Sequence, residues 1–503
     1  MPASTALTWE RISAIPGWFT ISSYGVWRAL LDFQEDVRGD VLEIGIWRGR
    51  STAVLAGYRR PGEKLYLCDL NLDEGAVHSA LRSVGASTDD LVPLSGPSAG
   101  LEGRLNLSAM RDSIRWMHID GEHTGATVSR ELALANRVLH PDGILVIDDF
   151  FSPRYPANTT ETMRYLDRHP LAFRLFAVAF NKAYLCRPPY AERLVTYLRG
   201  AFPAVLRSHG PRGASIYWSG GPWAGGPVGM VNYQEAVGSP TAGSGGTAPP
   251  GWLTSQTLAT WRALLDGQRE TGDVFDIGTR MGQSTALLAG ALGATDTLHV
   301  WDPEISIERL REYLVHAGVT EVSPVAVPGR PREFESRMDL RALHARVRWL
   351  HLDSERVGSD LVATLEFADR VIGPRGIVAV SDFFSARRPA VTIDLVKFLD
   401  QNPFAFRLFA TGFEMAYLCR PEAMPHFVDY MAVGFGRALA RHGGKATIYK
   451  TTGPWDDDAV GIAEYNDVDG PIAGPDDRQH IWHTVQARPV GSLWRRLRRR
   501  LGF

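Results

Sequence analysis

The sequence predicts two tandem α/β domains, each a doubly wound, mostly parallel sheet covered by helices on both faces. Three observations predict it. Short apolar runs (VLEIG, LYLCD, RWMHID, GILVIDD) alternate with longer helical patterns such as STAVLAGY and SRELALANRVL, as strand–helix–strand units do. The runs end in Gly or Asp, which suits ligand sites at the carboxyl ends of parallel strands. The whole pattern also occurs twice. DVLEIGIWRGRSTAVLAG (40–57) recurs as DVFDIGTRMGQSTALLAG (273–290), and WMHIDGEH (116–123) as WLHLDSER (349–356). FRLFAVAFNKAYLCRP (173–188) recurs as FRLFATGFEMAYLCRP (406–421). The offset stays at 233 from Gly45/Gly278 to Cys186/Cys419, so the loops kept their lengths as well as the apolar pattern.

A chain of 503 residues is too long for one ordinary core, in keeping with two domains. Residues 1–235 form the first expected domain and 251–466 the second. Between them, 236–250 is a Gly/Ser/Pro/Ala linker with nothing to pack, expected to be mobile. Residues 467–503 read as a flexible tail with a basic end.

Hydrophobic residues at 45% and charged residues at 22% are ordinary for a soluble globular protein, and a net charge of −2 gives no reason to expect nucleic acid. Three cysteines, Cys68, Cys186 and Cys419, make no disulfide framework and suggest a reducing compartment. There is neither a secretory signal pattern nor an apolar run long enough for a membrane span, so a cytoplasmic protein is expected. The end, SLWRRLRRRLGF, sets five arginines among Leu493, Trp494, Leu497, Leu501 and Phe503 at near-helical spacing. Such a segment suits peripheral contact with an anionic membrane, or is a frayed, solvated end.

The loop E-I-G-I-W-R-G-R-S-T joins the first strand to its helix. Gly45 and Gly49 permit a tight turn and close approach to a ligand, and Ser51 or Thr52 can cap the helix. A Gly-x-x-x-Gly turn alone is weak evidence. Asp69 strengthens it, because a carboxylate ending the second strand can accept both hydroxyls of a ribose, and Asp302 repeats it in the second copy. Without G-x-G-x-x-G or a P-loop lysine, S-adenosylmethionine fits this pattern better than NAD or ATP. Glu43 then has two candidate roles, holding the methionine ammonium or holding the loop.

Asp120 ends the fourth strand, and Asp148 with Asp149 ends the fifth, so three carboxylates converge beside the nucleoside loop. Like charges so placed repel unless a cation neutralises them, and hard oxygen ligands suit Mg²⁺, Mn²⁺ or Ca²⁺. The structural alternative is a loop cap at Asp149 and an Asx-turn at Asp120. His123 is a candidate general base or a donor behind the carboxylates. His209 and His442 read as helix C-termini, and Trp116, Trp349 and the FRLFA segments as core.

Taken together, D-V-L-E-I-G-x-x-x-G-x-S-T, the strand-two Asp, I-D-G-x-H and V-I-D-D-F resemble the class I S-adenosylmethionine-dependent methyltransferases of the macrocin and mycinamicin sugar O-methyltransferase type. That group extends towards cephalosporin hydroxylase-like proteins. The resemblance covers most of each copy and implies Rossmann-like domains, S-adenosylmethionine as donor and a divalent cation, usually Mg²⁺, on the acceptor hydroxyl. It implies Asp120, Asp148 and Asp149 as metal ligands, and Glu43, Gly45, Gly49, Ser51 and Asp69 as cofactor contacts. Asp120 and His123 are then the candidate catalytic residues. The acceptor would be a small molecule, sugar or glycan.

The second copy keeps Gly278, Gly282, Ser284 and Asp302, so its nucleoside pocket is expected to be intact. Its metal set is altered: Asp353 and Asp382 remain, but Asp148 has become Ser381, Gly121 Ser354 and His123 Arg356. One working and one degenerate domain is the expectation, in an internal pseudo-dimer or a homo-oligomer. Glu355 leaves open a replacement ligand, hence two active domains with different acceptors. A non-catalytic nucleoside-binding or assembly protein is the alternative of another class.

Overall fold

The computed structural model describes residues 7–209, 214–219, 228–233, 253–268, 270–385, 387–453, 458–463 and 481–485. The expected linker, 236–250, and the basic end, 491–503, lie outside them. The chain divides into two compact units, the first built mainly from residues up to Val237 and the second mainly from those after it.

The first unit is built on nine strands: β1 Asp40–Ile44, β2 Leu65–Asp69, β3 Leu91–Ser95, β4 Ile114–Ile119, β5 Leu139–Ile147, β6 Arg174–Ala179, β7 Lys182–Cys186, β8 Ala214–Ser219 and β9 Val228–Tyr233. Their order is β3-β2-β1-β4-β5-β7-β6-β9-β8. Strands β1 to β5 are parallel, and β7 pairs antiparallel with β5. Apolar runs such as Ile144–Ile147 are fully buried because helices cover both faces of the sheet. The order reverses between β1 and β4, and the crevice outside such a reversal is where doubly wound sheets bind ligands.

A two-residue turn, Phe180–Asn181, joins β6 to β7 with φ of 46° and 60°. Both residues are left-handed, as a tight hairpin with native twist requires. The resulting register sets Ile147 opposite Ala183, which brings Lys182 beside Asp148. The β8–β9 hairpin was not evident in the sequence.

The second unit repeats the plan with β10 Asp273–Ile277, β11 Leu298–Trp301, β12 Val325–Ala326, β13 Val347–Leu352, β14 Ile372–Ser381, β15 Arg407–Gly412, β16 Met415–Cys419, β17 Ala446–Thr452, β18 Asp458–Ala463 and β19 Ile481–Val485. The order is β12-β11-β10-β13-β14-β16-β15-β18-β17-β19. β19 pairs with β17, so part of the stretch expected as a flexible tail is an edge strand. Corresponding tryptophans fill both cores: Trp27 and Trp116 lie 5.4 Å apart, as do Trp261 and Trp349. The FRLFA segments are buried strands as expected, and all three cysteines are free and buried. His209 ends its helix and His442 caps another. Among the described residues no helix is long and apolar enough to cross a membrane.

Candidate active site

The first loop is pressed against the end of β4. A Cβ on Gly45 (φ 87°) would lie 1.9 Å from the carbonyl oxygen of Asp120, so no side chain fits there. Gly49, also left-handed at φ 84°, occupies the cap position of helix Arg50–Gly57, and no side chain caps it. The expected cap from Ser51 or Thr52 is therefore corrected. Thr52 points inward and donates to Glu43 Oε2 at 2.6 Å. Glu43 has no exposed surface, and its other oxygen lies 3.1 Å from His118 Nδ1. Of its two candidate roles, Glu43 holds the loop and does not face a ligand's ammonium.

Asp69 also works on the loop. Its Oδ2 accepts from the Ile46 and Trp47 amides at 2.8 and 3.0 Å, and its Oδ1 from the Asn71 amide at 2.9 Å. A carboxylate offers about four lone-pair sites, so one is left, enough for a single hydroxyl rather than two.

Asp120, Asp148 and Asp149 do converge. Ligand atoms of His118, Asp120 and Asp148 lie within 4.8 Å of one another, and so do those of Asp120, His123 and Asp149. The three carboxylates are not equivalent. Asp148 is buried, bonded by the Lys182 ammonium and the Asp149 amide at Oδ1, and lies 3.3 Å from His118 Nε2 through Oδ2. Burial alone would raise its pKa, but the Lys182 charge and the His118 and Lys182 hydrogen bonds outweigh it and hold the group well below the usual carboxylate range. For His118, burial is likewise outweighed by hydrogen bonds to Asp148 and Glu43, which raise it to about 9. Asp148 is thus already neutralised by partners inside the fold, which leaves about one lone-pair site, on Oδ2, for the metal role expected of it.

Asp120 and Asp149 are different. Their side chains are 37% and 25% exposed. Burial first, then the neighbouring carboxylates, raises both above the ordinary value. Their partners are looser than those of Asp148: His123 Nε2 lies 3.7 and 3.8 Å away, and Asn181 Nδ2 donates to Asp149 Oδ1 at 3.3 Å.

His123 sits at φ 59°, stacked on Tyr155 with ring centroids 4.1 Å apart. Asn158 Nδ2 donates to the Asp148 carbonyl at 3.0 Å and meets His123 Nδ1 at 2.8 Å. An amide nitrogen held to a carbonyl must donate, so Nδ1 accepts and Nε2 carries the proton. That proton faces Asp120 and Asp149 at 3.7 and 3.8 Å. Of the two roles open to His123, the geometry fits a donor behind the carboxylates rather than a base.

Sequence reasoning missed Lys182, His118, Asn158 and Tyr155. Lys182 had a signal. It is Met415 in the second copy, where Asp148 is Ser381, so a buried charge and its counter-charge were exchanged together. It missed Glu131 as well, a buried carboxylate beneath Gly121 that burial pushes up to about 7.

In the second unit Ser284 is buried and donates to Asp276 Oδ2 at 2.8 Å, and Thr285 donates to the same oxygen. Asp276 is one methylene shorter than Glu43 and recruits both hydroxyls. Ser284 therefore faces inward, not towards a nucleoside as expected. Gly278 and Gly282 keep their left-handed turn at φ 95° and 80°. Glu355, the candidate replacement ligand, is paired with Arg280.

The methyltransferase-domain family matches residues 42–150, which span β1 to the Asp148–Asp149 pair. No curated protein matches the chain. Among solved structures, the O-methyltransferase NovP is 16% identical over 32% of this chain and 77% of its own, with a TM-score of 0.27. The TDP-rhamnose 3'-O-methyltransferase CalS11 is 18% identical over 32% and 77%, with a TM-score of 0.27. A putative O-methyltransferase from Klebsiella pneumoniae is 15% identical over 37% and 91%, with a TM-score of 0.29. The match to the methyltransferase-domain family lies within the first unit, and the second unit repeats the first unit's strand order.

Proposed function

We propose that the first unit is an S-adenosylmethionine-dependent, divalent-metal-assisted O-methyltransferase acting on a hydroxyl of a sugar, glycan or related natural product. The observation that carries the reading is the pair of partly exposed, loosely partnered carboxylates, Asp120 and Asp149, beside the Gly45 loop at the strand-order reversal. Gly45 and Gly49 admit the donor close to the backbone, the amides opening helix Arg50–Gly57 and Ser51 face its carboxylate end, and the remaining site on Asp69 accepts a ribose hydroxyl. Asp120 and Asp149 fit a hard cation, which takes one or two carboxylates and keeps room for water and substrate oxygens. Bound there, such an ion lowers the pKa of an acceptor hydroxyl.

Asp120 orients that hydroxyl and accepts its proton, while His123 holds both carboxylates from behind. The acceptor oxygen forms a bond to the methyl carbon as the carbon–sulfur bond breaks, and S-adenosylhomocysteine leaves. Much of the acceleration comes from holding the two reactants in line. The test is release of S-adenosylhomocysteine from S-adenosylmethionine and Mg²⁺ with a panel of free and nucleotide-linked sugars. Turnover should stop with a chelator and fall ~10²-fold or more in Asp120→Asn, the usual worth of a proton acceptor. Failure of the wild type to bind S-adenosylhomocysteine at all would sink the reading.

A further inference from the structure

The second unit carries two arginines where the first has Trp47 and His123, and both turn into its own site. Arg280, at the Trp47 position with the same left-handed backbone (φ 46° against 48°), forms ion pairs with Asp353 and Glu355. Its Nη2 donates to Asp353 Oδ1 at 3.0 Å. Arg356, at the His123 position, reaches Glu304 at 2.5 Å and approaches Asp302 at 3.8 Å. The Asp302 side chain is left 1% exposed. The stem of Arg356 also lies across the loop: a Cβ on Gly278 would sit 3.0 and 3.2 Å from its Cβ and Cγ.

The local backbone explains why Arg356 points this way. In the first unit a Cβ on Gly121 would lie 2.5 Å from Glu131 Oε1, so a side chain there would displace the end of the Glu131 side chain. In the second unit Thr364 stands at the Glu131 position and Ser354 at the Gly121 position. Residues Ser354–Val357 then wind into a helical turn capped by Asp353, which accepts from the Glu355 and Arg356 amides at 3.0 and 3.3 Å. That turn aims residue 356 at the cofactor loop. Every glycine and carboxylate that suggested a second pocket is present, and a cleft of about 230 Å³ lined by Val300, Trp301, Asp302 and Leu310 stays open beyond the two arginines.

We infer that Arg280 and Arg356 close the second unit's site from within, one guanidinium on the metal-type carboxylate and the other over the ribose-type carboxylate, so that the chain takes up one nucleoside, in the first unit. The inference rests on the proposed cofactor of the first unit. Titration calorimetry of S-adenosylhomocysteine into the full chain tests it, with Asp69→Ala, Asp302→Ala and Arg280→Trp/Arg356→His beside the wild type. The expected result is one site in the wild type, lost in Asp69→Ala and unchanged in Asp302→Ala, with a second site in the double variant. Two sites in the wild type overturn the closure while the proposed function of the first unit survives; one site that survives Asp69→Ala and vanishes in Asp302→Ala overturns both. A folded double variant that gains no site also overturns it. If the double variant fails to fold, Arg356→Ala decides by the same criterion. No binding in any protein removes the cofactor reading and this inference with it.

Discussion

Asp148 and Asp149 are adjacent in sequence but differ in their partners, and the difference comes mainly from one residue across the sheet. Lys182 reaches Asp148 because a two-residue hairpin returns the chain in a register that sets the two side by side. Nothing in V-I-D-D-F discloses this. The strand-end aspartates were legible from pattern alone, but which of them stays available depends on antiparallel pairing that short-range sequence does not encode. Removing one member of a buried pair leaves an unpaired charge, so Lys182→Met should cost ~3–5 kcal/mol in denaturant unfolding. Lys182→Met/Asp148→Ser, which copies Met415 and Ser381, should recover most of it. A double variant no more stable than the single would remove the pair from this account. His118 adds a pH signature. A folded value of about 9 against an ordinary 6.5 means that its contribution is complete below 6.5 and is lost as the pH rises through 9. Thermal unfolding between pH 6 and 10 should show that loss, and His118→Asn should reduce it.

At the scale of elements, one helix position sets the shape of a loop. Glu131 lies on helix Gly125–Val138, yet its carboxylate occupies the space that a side chain on residue 121 would enter. Gly121→Ser should therefore destabilise the first unit by ~1–3 kcal/mol, the cost of overpacking a filled site. With Glu131→Thr in the same chain the serine gains room, and the two changes should show a coupling of ~0.5–3 kcal/mol in a double-mutant cycle. Additive effects would mean that the two residues do not share the space. The strands, their order of appearance and the first loop were readable because buried parallel strands are apolar throughout and end in Gly or Asp. The helical turn at Ser354–Val357 was not readable, since D-S-E-R and D-G-E-H differ little in propensity and the choice rests on the residue ten positions further along the chain. The positive charge that Arg356 brings was legible in the sequence but its reach towards Asp302 was not, and Arg280, at a loop position occupied by tryptophan in the other copy, gave no signal.

For the whole chain, duplication explains how the second unit keeps a methyltransferase fold while losing the features of a site. Its core positions answer to packing, and the Trp261–Trp349 pair repeats the 5.4 Å spacing of Trp27 and Trp116. Its site positions answer to charge. Asp353 keeps its place at the end of β13, but the Arg280 guanidinium satisfies it, and a carboxylate already paired with a fixed cation has little reason to bind another. In the first unit the corresponding loop residue, Trp47, carries no charge, and Asp120 and Asp149 face each other's repulsion without such a partner. The number of metal ions per chain follows from that contrast. Mn²⁺, a spectroscopic stand-in for a hard cation, should titrate to one ion per chain by electron paramagnetic resonance. Asp149→Asn should abolish the site, and Asp353→Asn should leave both stoichiometry and affinity unchanged. Arg280→Trp should not by itself create a second site, because Asp382 already accepts from Ser354 at 2.5 Å. Two ions in the wild type, or weakened binding in Asp353→Asn, would show that the second unit holds metal despite its arginine and would return it to candidacy as an enzyme.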